Sequence, residues 1–176
     1  MTNTLSPPQS RAAAAVKKNS IIGMGDMLAC GDPSSQLITY SLGSCVGVTI
    51  YDAVAQVGGM LHAMLPDSSI NAERAASRPH MFVDTGLPAM FHAVYALGGV
   101  KSRLVVKMAG GAEFLDAKKI FNIGDRNVQA VVAMLARNGV HLEATETGGH
   151  ESRTMRLDLN TGGVTLDIPG RKLLNL

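Results

Sequence analysis

Val46–Tyr51 and Val57–Leu65 are rich in β-branched and apolar residues, and only the short Asp52–Gln56 stretch separates them. That spacing predicts an antiparallel hairpin. An apolar hairpin has to be covered, and the rest of the chain supplies the cover. Ile21–Cys30 and Gln36–Leu42 read as strands around a Gly-Asp-Pro-Ser-Ser turn. Arg103–Met108, Val140–Thr145, Thr154–Leu159 and Gly163–Ile168 read as further strands, the last two joined by Asn160-Thr161-Gly162. Asp84–Leu97 carries Leu87, Met90, Phe91, Val94 and Leu97 on one side and stops at Gly98-Gly99. Asp125–Asn138 repeats the pattern with Val128, Val131, Val132 and Leu135, and Gly139 ends it. The expected fold class is α+β, with the helices packed as a layer on a mostly antiparallel sheet.

At 176 residues, 46% hydrophobic and 17% charged, the chain is long and apolar enough for one domain with its own core. Residues 1–19 (MTNTLSPPQSRAAAAVKKN) are expected to be a flexible leader, and 20–176 the domain. The polar stretch Pro66–His80 reads as a long exposed loop. A net charge of +2, 4% aromatic residues and no Trp argue against a nucleic-acid partner. No apolar run reaches membrane-spanning length, so no membrane insertion is expected and the cytoplasm is the expected compartment. The two cysteines make no disulfide framework, and the five histidines are scattered, so no metal site is expected.

Cys45 sits in LGSCVGVTIYD, where a strand follows a Gly-Ser turn. A nucleophilic thiol needs a base and a group to orient that base. His62, in GGMLHAMLP, is the nearest histidine in sequence, and antiparallel pairing brings its strand beside the start of the Cys45 strand. Thr39, on the preceding strand, and Ser44 are both hydroxyls able to set the imidazole tautomer. Gly43 permits close approach of substrate to backbone, and the Cys45 amide can receive an oxyanion. Against this stands the plainer reading, in which a lone cysteine beside a valine-rich strand is packing. Cys30 has no such turn or histidine and reads as structural. Gly110-Gly111, after a strand, can cradle an anion, although no phosphate-loop signature is present. Arg126 and Asn127 lie where a residue either contacts substrate or ties down its helix, and Glu146–Arg153 reads as a tight turn.

TYSLGSCVGVTIYD, GGMLHAMLP, KMAGGAEFL, NIGDRNVQAV and TGGHESR, in this order and spacing, resemble the CheD chemoreceptor glutamine deamidases over about residues 21–168. The resemblance implies an α/β sandwich similar to the catalytic domain of cytotoxic necrotizing factor toxins. It implies hydrolysis of chosen glutamine side chains on methyl-accepting chemoreceptors to glutamate, with no cofactor. The family's catalytic Cys, His and Thr fall on Cys45, His62 and Thr39, and oxyanion or substrate contacts are expected around Ser44, Gly43, Gly110 and Gly111. A thioester on Cys45 would also allow cleavage of a glutamyl methyl ester. A CheC-type phosphatase is the implied partner at the active-site face. Two other readings compete: a non-catalytic chemotaxis regulator that binds such a phosphatase or a receptor, and a cysteine hydrolase of a small amide. A thiolate activated by His62 is expected to be alkylated by iodoacetamide faster than Cys30. RPHMFVDTGLPAM departs from the family's more polar stretch, and the chain is short after Ile168.

Overall fold

Every residue of β4 (Val46–Asp52) and β5 (Val57–Ala63) is buried. Side chains alternate along a strand, so burial at every position requires a layer on each face. On one face Val46, Val48, Ile50 and Leu61 pack with Val83, Leu87, Met90 and Val94 of helix α2 (Val83–Ala96) and Val131 and Leu135 of helix α3 (Ile123–Arg137). On the other face Tyr51 and Met60 pack with Leu37, Leu42, Met155, Leu157 and Leu159 of a second sheet. The consecutive glycines of β5 serve the two layers separately. A Cβ on Gly58 would lie 2.7 Å from Leu159, and one on Gly59 would lie 3.0 Å from Met90 and Val94.

The computed structural model describes residues 17–113 and 122–176. The first sheet runs β2 (Met27–Cys30), β5, β4, β6 (Val105–Gly110), β7 (Leu142–Thr147). The second runs β1 (Lys18–Ile21), β3 (Ser35–Leu42), β8 (Arg153–Asp158), β9 (Val164–Asp167), β10 (Leu174–Asn175). Only β1–β3 and β6–β7 pair in parallel. The architecture is therefore α+β and mostly antiparallel, as expected, but it has two sheets, and the helices cover only the first.

The difference starts at Ile21–Cys30, which the apolar pattern reads as one strand. The chain leaves the second sheet after Ile21, turns through Gly25 at φ +72°, and joins the first sheet at Met27. The domain also begins earlier than residue 20: Lys18 and Asn19 already pair with Ser35 and Gln36. Residues 1–16 of the expected leader lie outside the described residues. The Pro66–His80 stretch contains a short helix α1 (Ala72–Ser77), whose N-terminus is capped by Asn71. The stretch is tied down by Ser68 donating to Asp84 and Arg78 to Met24 O.

Asp52 closes β4 and carries no solvent exposure. Its carboxylate accepts from the amides of Val54, Ala55 and Val100 at 2.9–3.1 Å, and Arg103 Nη2 lies 2.8 Å away. The Arg103 guanidinium, helped by these amides and opposed by burial, holds the carboxyl well below the usual carboxylate range. Asp52→Ala is expected to cost about 2–3 kcal/mol by urea unfolding, because it strands buried donors. The half-exposed Arg103 keeps the loss below that of a fully buried pair. The Asp52 contribution is fully present above the unfolded carboxylate value and is lost as pH falls below it. A loss under about 0.5 kcal/mol, typical of a surface change, would refute this role.

Candidate active site

The chain crosses from the second sheet to the first through Gly43-Ser44-Cys45, between the end of β3 and the start of β4. This crossing places the three predicted residues on one inter-sheet face. Thr39, on β3, and His62, on β5, are both fully buried. Thr39 Oγ1 donates to Ile22 O at 2.8 Å and lies 2.7 Å from His62 Nδ1. A hydroxyl has one hydrogen, and Ile22 O takes it. Oγ1 therefore accepts from Nδ1–H, which leaves Nε2 with a free lone pair. Among the described residues Nε2 has no hydrogen-bond partner. Gly47 pairs with His62 in the β4–β5 ladder, and Cys45, two residues before Gly47, falls on the same face diagonal to the imidazole. The other hydroxyl considered, Ser44, lies on the turn itself, and the bond to His62 comes from Thr39.

The Cys45 turn is held by its carbonyls. Gly43 O accepts from Ala112 N at 2.7 Å, and Cys45 O from Gly111 N at 2.8 Å. Ser44 O accepts from Asn127 Nδ2 at 2.9 Å. The turn follows a bulge in β3 where Ser41 adopts φ 58°, a conformation uncommon for a residue with a side chain. Among the described residues the amides of Ser44 and Cys45 donate to no carbonyl. Those of Gly43 and Gly111 are engaged, by Ser41 O and Cys45 O. Of the residues expected at an oxyanion site, Ser44 keeps an amide with no backbone acceptor among the described residues, and Cys45 adds a second. Gly110 acts through space: at φ +108°, a Cβ there would sit 2.2 Å from Cys45 O. Gly110 and Gly111 thus hold the Cys45 turn.

The profile described as CheD chemotactic sensory transduction matches residues 64–167. A protein of Syntrophus aciditrophicus named probable chemoreceptor glutamine deamidase CheD 1 is 42% identical over 89% of this chain and 98% of its own length. One of Anaeromyxobacter dehalogenans, named probable chemoreceptor glutamine deamidase CheD 2, is 45% identical over 82% and 91%. One of Pyrococcus horikoshii with the corresponding name is 43% identical over 82% and 89%. The chain belongs to the CheD family. The profile match begins after His62, whereas the 89% span of the Syntrophus relative necessarily takes in the β3–β5 region.

Burial sets the charge state of the pair in this CheD-family chain. It pushes the Cys45 thiol up, offset only in part by the residue's own amide. It pushes His62 down to about 4, offset in part by Asp26. At neutral pH the pair rests as thiol and neutral imidazole, not as a thiolate–imidazolium ion pair. The rapid alkylation expected from a preformed thiolate does not follow from this burial. Cys30, on β2, is half-buried and its Sγ accepts from Asp32 N at 3.4 Å. Among the described residues no cluster of three or more His, Cys, Asp or Glu is arranged to hold a metal. No helix there is long and apolar enough to cross a membrane.

Two contributors were not singled out from sequence for the roles they have. Ile22 enters through its carbonyl, which carries no residue-type signal. Asn127 does carry one: a polar residue on the buried stripe Gly124, Asn127, Val131, Leu135 of α3. Imidazole 15N NMR is expected to find His62 as the Nδ1–H tautomer and still neutral at pH 5. Its unfolded value is near 6.5, so the unfolded chain takes up the proton first. Stability from this site is full above about pH 6.5 and falls as pH drops toward about 4. An imidazolium signal at pH 6 would overturn both statements.

Proposed function

We propose that this CheD-family protein hydrolyses glutamine side chains of chemoreceptors to glutamate, with Cys45 as nucleophile, His62 as base and acid, and Thr39 as orienter of the imidazole. The observation that carries the reading is the Ile22–Thr39–His62 relay, which leaves Nε2 unprotonated on the face that bears Cys45. Cys45 Sγ attacks the carboxamide carbon as its proton passes to Nε2. The carbonyl π electrons move to oxygen, where the amides of Ser44 and Cys45 receive the negative charge. The imidazolium protonates the amide nitrogen, the C–N bond breaks, and ammonia leaves a thioester. Water then attacks the thioester and gives a proton to Nε2. The C–S bond breaks, and the thiolate recovers its proton from the imidazolium. The sum is glutamine plus water to glutamate plus ammonia. A glutamyl methyl ester enters the same scheme with methanol as leaving group.

The wider reading comes from the family resemblance: kinship of fold with the necrotizing factor catalytic domain, a cytoplasmic setting, and a CheC-type phosphatase docking over the site. The deciding experiment is mass spectrometry of chemoreceptor cytoplasmic fragments after incubation with wild type or Cys45→Ala. Conversion of specific glutamines by wild type only is expected, with Cys45→Ala slower by several orders of magnitude. No conversion on any receptor fragment would sink the deamidase and favour the binding regulator. Free glutamine as substrate separates off the small-amide hydrolase. Thr39→Val removes the acceptor of Nδ1–H and is expected to lower kcat about tenfold or more, the worth of one such hydrogen bond.

A further inference from the structure

We infer that Asn127 is the positioning residue of this site, keeping the Cys45 turn in register with the strand that carries His62. The inference rests on the deamidase reading for its catalytic consequence, but its geometry stands alone. The β4–β5 ladder ends at the Val46–Ala63 pair. Beyond that pair the chains diverge, one into the Cys45 turn and the other into Met64, whose amide donates to Met81 O. The Asn127 amide fills the opening: Nδ2 donates to Ser44 O and to Met64 O, both at 2.9 Å. One NH2 group thus acts as an additional rung, joining the residue before Cys45 to the residue two beyond His62.

The role does not reduce to helix architecture. Asn127 is the fifth residue of α3, inside the helix and not at its cap, where asparagine is a poor helix former. Its side-chain bonds go to other elements. Its Oδ1 is buried and without a partner among the described residues. Buried polar groups left unsatisfied are rare and call for an explanation. The two bonds of Nδ2 to the carbonyls fix the amide's orientation, and the acceptor's place follows from them. The helix is seated for this contact by Gly124, where a Cβ would lie 2.6 Å from Gly111 O and Ala112 O. The loop that holds Gly43 O and Cys45 O is thus the one against which α3 is packed.

The test compares wild type, Asn127→Ala and the near-isosteric Asn127→Asp on a chemoreceptor cytoplasmic fragment. It also follows alkylation of Cys45 against pH, with Cys30 in the same chain as reference. Misplacement of a reacting group by about 1 Å costs about 100-fold. Both variants are expected to lose about 100-fold in kcat with KM within about twofold. Cys45 alkylation is expected to move to lower pH as the loosened turn takes the thiol out of its buried setting, while Cys30 is unchanged. Slower catalysis with easier alkylation of Cys45 alone is a combination that general destabilisation does not produce, since that would expose both cysteines. Wild-type kcat in either folded variant, or Cys30 and Cys45 rising together, would overturn the inference, as would failure of both variants to fold. Should wild type deamidate nothing, the deamidase reading fails, and the Cys45-to-Cys30 alkylation comparison still decides Asn127.

Discussion

The β4–β5 hairpin is covered on both faces, and the site is a consequence of that constraint. Helices α2 and α3 press on one face and the second sheet on the other. A strand with period two cannot place His62 anywhere but between the sheets once Leu61 and Ala63 face the helices. Among the described residues the second sheet faces it there, and β3 meets it with Thr39. The hydrogen bond between these residues spans the two sheets, so imidazole orientation depends on how the layers pack. Glycine sets the spacing. Gly47, opposite His62, would bring a Cβ 2.7 Å from Leu42, and Gly58 would bring one equally close to Leu159. Larger residues would part the layers that keep Thr39 within reach of Nδ1.

A division of backbone groups at the Cys45 turn builds on that frame. The carbonyls of residues 43–45 are all taken by groups from the loop after β6 or from α3. A peptide whose carbonyl is pulled inward presents its amide outward, which orients the Ser44 and Cys45 amides. In the proposed mechanism these are the donors that receive the developing charge, preorganised because the neighbouring acceptors are committed. The bulge and the positive φ of Ser41 are where the chain absorbs the geometry.

Alternation and local spacing made much of this legible. The hairpin and both long helices follow from it, and so does the placing of the β4 start, just after Cys45, beside the strand of His62, which depends only on antiparallel pairing across a short turn. The division into two sheets was hidden. Ile21–Cys30 is apolar enough to read as one strand, and its break depends on contacts far along the chain: Gly25 N donates to His62 O, and His62 N to Asp26 O. The same contacts bring Ile22 O to Thr39, so the group that settles the tautomer was equally out of reach. Gly110 and Gly111 were legible as special but not as to purpose. A glycine pair after a strand announces close approach, and only the fold says that what approaches is Cys45 O at Gly110 and helix α3 at Gly111. Asn127 announced itself by sitting on an apolar helical stripe, a pattern that asks where a buried amide finds its partners.

A buried, neutral thiol and imidazole would be a poor arrangement for an enzyme that relied on a standing thiolate. It suits one that forms charge only in company. Moving the proton from Cys45 to His62 before attack would create two ions in a site that has pushed both titrations toward the neutral forms. In the proposed mechanism, moving it during attack transfers the negative charge directly from sulfur to the carboxamide oxygen, beside the Ser44 and Cys45 amides. The positive charge remains on an imidazole whose Nδ1–H is already bonded to Thr39. On the proposed mechanism, burial discourages reaction with electrophiles that lack an oxygen to place at the Ser44 and Cys45 amides, and penalises the productive substrate least. Selectivity then comes from desolvation of the pair together with the geometry of the turn.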